Sequence, residues 1–241
     1  MSVCLATYNG VRHIEAQLDS ILPQLEAQDE VLVADDGSSD DTLARIAAYG
    51  SRVRVVASGR VGGVVPNFER VLAAAAGEGI VLCDQDDVWL PGRLALLRRH
   101  LATCLLVLTN GTVVDDALAP RGQDVFGLVG MRRGLLRNLV KNSFIGCCMA
   151  FRRELLERVL PFPAGVPWHD WYIGLAAEAL GRVERDASVT MLYRRHAGNA
   201  SPTGTRSGNS LATMLRMRLA VARALLIALL RRRRAHPGAP A

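Results

Sequence analysis

Three times in its first 87 residues this chain runs an apolar stretch into a cluster of amides or acids: SVCLATYN at 2–9, EVLVADD at 30–36 and GIVLCDQDD at 79–87. Between them lie segments of helical period. Ile14, Leu18, Ile21, Leu22 and Leu25 recur on one face of 12–25, and NFERVLAAAAGEG at 67–79 reads as a helix stopped by glycine. Short apolar strands alternating with helices on short connections leave few topologies. The economical one is a parallel sheet wound by right-handed crossovers. Ligands in such sheets sit outside the carboxyl ends of the strands. All three polar clusters are expected there, facing one crevice.

The third cluster asks for an explanation. Asp84, Asp86 and Asp87 fall within four residues at the end of a strand, where like charges raise one another's pKa. A divalent cation is the usual compensation, and such ions complete their shell with substrate phosphates. On an extended segment Asp84 and Asp86 would point the same way. The alternative is a solvated acidic turn ahead of a helix that starts at Pro91. In ADDGSSDDT, Ser38 or Ser39 is expected to cap the next helix, with Asp40 and Asp41 in its first turn.

The rest of the chain is less regular. RVRVVASG at 52–59 is strand-like, 104–116 reads as one or two strands, and 120–142 as a mobile glycine- and arginine-bearing region. SFIGCCMAF at 143–151 is a strand or buried turn. Helices are expected on 152–160 and 167–181, a strand on 182–196, and a last helix on 209–230. With 241 residues, half of them apolar, one large α/β domain can be built. Five cysteines without a CxxC pair read as reduced core thiols, with Cys147 and Cys148 packed in the interior. Residues 1–7 open directly into a strand, so no secretory leader is expected.

Net charge is +6, but it is unevenly placed: residues 206–241 hold eight arginines and no acid, leaving the body nearly neutral. That argues against a nucleic-acid surface and for a local anionic partner of the tail. The segment 211–234 is apolar but interrupted by Arg216, Arg218 and Arg223. Its longest unbroken run, 224–230, is far short of the ~20 residues that span a bilayer. It reads as an interfacial helix for anionic lipid, or as a helix packed on protein.

Two enzyme families share the DxD pattern. IVLCDQDDV satisfies the opening motif of haloacid-dehalogenase-type phosphatases, with Thr109 and Lys141 as later motifs. That reading leaves ADDGSSDDT unexplained and lacks a later acidic pair. SVCLATYNG, VLVADDGSSDDT, CDQDDVWLPGRL, GCCMAFRREL, HDWYIGLAA and YRRHAGN, in this order, resemble family-two glycosyltransferases of the GT-A fold, in a rhamnosyltransferase-like bacterial branch. The resemblance covers about 2–200. It implies a Rossmann-like, mixed but mainly parallel sheet flanked by helices, to which the tail's own apolar and basic pattern adds a C-terminal amphipathic helix. It divides the chain into a catalytic domain at 1–205, with a nucleotide-binding half (1–103) and an acceptor half (104–205), and a basic helical tail at 206–241.

The resemblance also implies roles. Asp36 would bond the pyrimidine edge while Asp35 supports the turn; Ala6 and Tyr8 would line the base pocket; Arg60 would contact base or phosphate. Asp84 or Gln85 would approach the ribose or donor sugar, Asp86 would hold Mg²⁺ or Mn²⁺ with His196 nearby, and Trp89 would pack under this loop. Asp170 would be the catalytic base of an inverting transfer, a single displacement that needs one carboxylate for the acceptor hydroxyl and positive charge on the departing diphosphate. The implied donor is a dTDP- or UDP-linked sugar, with rhamnose first. The implied acceptor is a cell-surface glycan or lipid-linked saccharide, met in the cytoplasm at the inner membrane face. A non-catalytic nucleotide- or glycan-binding domain is the remaining alternative.

Overall fold

The computed structural model describes residues 1–196, 198–199 and 208–231. The first half alternates as expected: β1 (Ser2–Thr7), α1 (Ile14–Ile21), β2 (Glu30–Asp35), α2 (Thr42–Ala47), β3 (Arg54–Ala57), α3 (Val64–Ala73) and β4 (Gly79–Asp84). Then come β5 (Val88–Trp89), α4 (Arg93–Leu101), β6 (Leu106–Val114), β7 (Pro120–Asp124), α5 (Val125–Val129) and α6 (Leu135–Val140). The chain continues through β8 (Met149–Arg152), α7 (Arg153–Val159), α8 (His169–Leu180), β9 (Val183–Arg194) and α9 (Leu211–Leu230).

One sheet runs in the order β3-β2-β1-β4-β8-β6-β9-β5, with β7 paired to β6. The first four strands are parallel, β8 is antiparallel to both its neighbours, and β6 is parallel to β9. Strands β1 and β4 are buried along almost their whole length because helices cover both faces, so they are unbroken apolar runs. The period of two still sorts their side chains. Cys4, Leu32 and Leu82 join one core with Phe68 of α3 and Tyr172 of α8; Val3, Leu5, Val33 and Val81 join the other with Leu18 of α1 and Leu97 of α4. After β3 the chain returns to the far side of β1, so the order reverses between β1 and β4. In register, Thr7 pairs with Asp35 and Ala6 with Asp84. The three polar strand ends therefore meet at the switch point where open α/β sheets bind ligands.

Several boundaries differ from the sequence reading. Helix α2 starts at Thr42, and neither Ser38 nor Ser39 caps it, because Ser38 is taken by Asp35 and by the amide of Asn9. Helix α4 starts at Arg93 rather than Pro91, since Gly92 adopts φ 84° just before it. The α3 helix occupies 64–73, earlier than 67–79, with Pro66 tolerated in its first turn. Residues 104–116 contain a single strand, and 120–142 hold β7, α5 and α6, with Asp124 capping α5 through the Gly127 amide. All five cysteines are free and buried.

Candidate active site

The site is assembled from loops that the sheet brings together. At the end of β2 the two acids divide their work. Asp35 accepts from the amides of Gly37 and Ser38 at 3.0 and 2.8 Å, folding the turn as expected. Asp36 accepts from the backbone N–H groups of Val61, Gly62 and Gly63. Burial alone would raise its pKa; these three donors more than offset it, and the carboxyl lies below its ordinary range. Of about four acceptor positions on a carboxylate, three are used. The loop that does this follows Arg60, which is itself exposed. Its backbone nitrogen would stand 3.0 Å from a Cβ at Gly37, so the two turns are in close contact.

At the end of β1, Tyr8 is 45% exposed beside the crevice and Ala6 is half-buried. Gln85 clamps this strand end. Its Oε1 accepts from Thr7 Oγ1 and Tyr8 N, and its Nε2 donates to the Tyr8 carbonyl. A side chain expected near the ribose or donor sugar is thus engaged with the protein. Gly10 lies close beneath it: a Cβ there would stand 2.4 Å from Gln85 Oε1 and would push the clamp aside.

The acidic cluster departs from the extended geometry. Strand β4 ends at Asp84 and the chain turns, so Asp84 and Asp87 come together rather than Asp84 and Asp86. Ligand atoms of Asp84, Asp87 and the Cys147 thiol all lie within 4.8 Å of one another. Burial first, then the charges of Asp86 and Asp170, push the Asp84 carboxyl up to about 7. Burial and the Asp86 and Asp84 charges push Asp87 well above the usual range too. One Asp87 oxygen accepts from Arg194 N at 3.0 Å, while the other is buried without a hydrogen-bond partner among the described residues. Asp86 is reached from the end of β9: His196 Nε2 lies 2.9 Å from its Oδ2, and Asn199 Nδ2 donates to the same oxygen at 2.8 Å. Carboxylate oxygens are the donors that hard cations such as Mg²⁺ and Mn²⁺ take, and a buried Asp87 oxygen without a hydrogen-bond partner among repelling carboxylates fits a place for such a cation.

Asp170 opens α8 and accepts from its own neighbour, the Trp171 amide. Burial pushes its carboxyl up to about 6. His169 is buried: it stacks on Phe68 with ring centroids 4.0 Å apart, and neither ring nitrogen has a partner among the described residues. Burial lowers its pKa to about 3, so it is neutral. Trp89 is buried, packing beside Arg93, whose guanidinium stands 5.0 Å from its ring.

Sequence reasoning missed several supports. Arg194 donates through Nε to the Asp86 carbonyl and also bonds the Asp116 carbonyl, pinning the acidic turn to the end of β6. Asn67 of α3 donates to the carbonyls of Thr7 and Ala34, and Arg70 to that of Asp35, fixing both strand ends from one helix. His13 lies 3.1 Å from Asp116 and 5.0 Å, ring to ring, from His196. The quoted run YRRHAGN already held Arg194 and Asn199, but only contacts across the sheet give them work. Thr109, needed by the phosphatase reading, is fully buried against Arg93 and Thr190, and Lys141 is exposed beyond α6.

A mixed sheet of this order, with three polar strand ends at the switch point and a DxD turn at the end of β4, has the GT-A class of fold. The profile of glycosyl transferase family 2 matches residues 2–160, and the chain belongs to that family. It spans 59% of the length of mycobacterial relatives that are 30% identical to it over 82% of its own length. It is similar to the UDP-Glc:alpha-D-GlcNAc-diphosphoundecaprenol beta-1,3-glucosyltransferase of Escherichia coli (26% identity, covering 73% of this chain and 68% of that one). It is similar also to a dTDP-rhamnosyl transferase of Shigella flexneri (26%, covering 81% and 72%). Among solved structures, glucosyl-3-phosphoglycerate synthase of Mycobacterium tuberculosis, in complex with Mn²⁺, UDP and phosphoglyceric acid, superposes with TM-score 0.57 at 23% identity, covering 94% and 77%.

Proposed function

We propose that this chain is an inverting glycosyltransferase that moves a sugar from a UDP- or dTDP-linked donor to a hydroxyl of a glycan or lipid-linked acceptor. The observation that carries it is the pairing of Asp170, a carboxyl that burial holds near 6, with Asp84 of the acidic turn at 84–87, which feels the charge of Asp170. A base poised just below neutral pH suits removal of a hydroxyl proton as the bond to the anomeric carbon forms. Asp36, through its remaining acceptor position, takes the N3–H that uracil and thymine share; Tyr8 and Ala6 border the base, and Arg60 stands on the loop beside it. Asp86 and His196 would hold Mg²⁺ or Mn²⁺, backed by Asp84 and Asp87, and the ion would supply positive charge to the departing diphosphate. Asp84 approaches the ribose or donor sugar, while Gln85 holds the β1 end in place. A glycoside hydrolase would need two carboxylates flanking the bond and no nucleotide site.

The relatives support two donors. The rhamnosyl transferase supports dTDP-rhamnose, ranked first, and the glucosyltransferase supports UDP-hexoses and a lipid-linked acceptor. The test is calorimetric titration with UDP and dTDP, with and without Mn²⁺, followed by a donor-turnover screen. Metal-dependent binding of either nucleotide with release of its sugar is expected. Binding without turnover on any donor would leave a nucleotide-binding domain only, and the absence of nucleotide binding would end this reading.

A further inference from the structure

Helix α9 has two apolar faces, and only one is used. Val221, Ala224, Leu225 and Ala228 are buried against the body. Three arginine contacts lock that face down: Arg218 donates to the Val140 carbonyl, Arg158 to those of Ala228 and Leu229, and Arg231 to those of Arg158 and Val159. The opposite side presents Leu211, Leu215, Leu219, Leu226, Leu229 and Leu230, all exposed and all but Leu229 more than half so. At about 100° per residue these six fall within an arc of roughly 100°. Arg216 and Arg223, exposed and without an ion-pair partner among the described residues, border one edge of the stripe. The sequence continues with three more arginines at 232–234 and no acid anywhere from 206 to 241.

We infer that the leucine stripe of α9 is a docking face for an anionic bilayer surface, with the leucines entering the headgroup boundary and the arginines meeting lipid phosphates. An unbroken leucine row on the surface of a family member of this size is a larger apolar patch than a solvated helix needs. No helix among the described residues is long and apolar enough to cross a membrane, so the helix would lie in the interface. A second copy of the chain fits less well. A twofold pairing of antiparallel α9 helices sets the two arginine edges side by side, and a parallel one brings the two arginine-rich ends together. Neither brings an acid to them from 206–241, whereas anionic headgroups oppose Arg216 and Arg223 at the stripe's edge. Because the buried face is pinned to α6 and α7 and packs on α8, docking would fix the orientation of the whole catalytic body, not of a loose arm. The inference does not depend on the transfer chemistry.

The experiment is co-sedimentation of the full chain with vesicles of phosphatidylcholine alone or mixed with phosphatidylglycerol, at low and high salt. Two variants accompany it: the triple substitution Leu215→Ser, Leu219→Ser, Leu226→Ser, and the pair Arg216→Glu, Arg223→Glu. None of these residues is in the catalytic site or the core. Binding to the anionic vesicles only, weakened by salt and reduced about tenfold or more in each variant, is expected. UDP binding should be unchanged in both. A wild-type chain that stays in the supernatant with every vesicle overturns the inference. So does a concentration-dependent dimer in analytical ultracentrifugation that the leucine variant abolishes while vesicle binding persists. Vesicle binding by a chain that turns over no donor would count against the proposed activity alone, and donor turnover without vesicle binding against this inference alone.

Discussion

Asp170 and Asp86 carry different halves of the proposed reaction, and single substitutions should separate them. Asp170→Asn keeps the shape of the side chain and its contact with the Trp171 amide but removes its basicity. It should lower kcat by roughly 10²–10⁴ while leaving UDP affinity nearly intact. His169 is a poor substitute base, since burial against Phe68 holds it neutral with a pKa near 3. Asp86→Ala removes the carboxylate that His196 and Asn199 both face, and should abolish metal-dependent donor binding and turnover together. If the variant at 170 loses nucleotide as completely as the variant at 86, the two roles are misassigned. Both residues stood out in the sequence, Asp86 by its motif and Asp170 by resemblance. Asp87 did not, because an alternating strand would have turned it away. The turn after Asp84 is decided by contacts from Arg194, more than a hundred residues later, and no local pattern records that.

At the scale of elements, the first four strands and the helices around them were readable because each is a long run with one period and a glycine or acid at its end. The part from 120 to 142 was not: β7 is fully exposed and pairs only with β6, and α5 and α6 are single short helices stabilised by neighbours. Tertiary contact outweighs propensity in such pieces. The joint that matters is where β9 reaches β6 and the acidic turn, and Arg194 makes it. Arg194→Met should leave the Asp86 and Asp116 carbonyls short of donors, at a cost of about 1–3 kcal/mol for the buried Asp86 carbonyl. The donor KM should rise more than kcat falls, because the turn is displaced while Asp170 on α8 is not. Thermal unfolding together with steady-state kinetics checks both; an equal loss in kcat with unchanged KM would show that Arg194 acts on the chemistry instead.

For the molecule as a whole, the acids at 84–87 and Asp170 concentrate carboxylates where burial and mutual repulsion disfavour their charge. Asp84 and Asp170 titrate near 7 and near 6 in the folded chain, against an ordinary 3.8. Between about pH 4 and 7 the folded state therefore holds more protons at these groups than the unfolded one. Their contribution to stability falls as pH rises through that window, and the penalty is complete above about 7. On the proposed reading, a divalent cation that also holds the donor diphosphate would offset it. Mn²⁺ with UDP should raise the unfolding temperature more at pH 8 than at pH 6, and Mn²⁺ affinity should weaken as pH falls through about 7, where protons compete for Asp84. Thermal shift and calorimetry across pH read both. An equal shift at both pH values would mean these acids do not face the ligand.

The stack of Phe68 on His169 ties α3, which holds the nucleotide-side strand ends through Asn67 and Arg70, to the first turn of α8, where Asp170 sits. Two such bodies sharing one buried face cannot be set independently. A time order for the proposed reaction is expected from this. On the proposed reading, nucleotide binding would seat α3, the stack would pass that to α8, and the base would then be in position for an incoming hydroxyl. Turnover is expected to be a compulsory sequence, donor before acceptor, with UDP leaving last. UDP should then inhibit competitively against the donor and non-competitively against the acceptor. Phe68→Leu should loosen that order toward random addition while leaving the affinity for UDP alone within about a few-fold of the original.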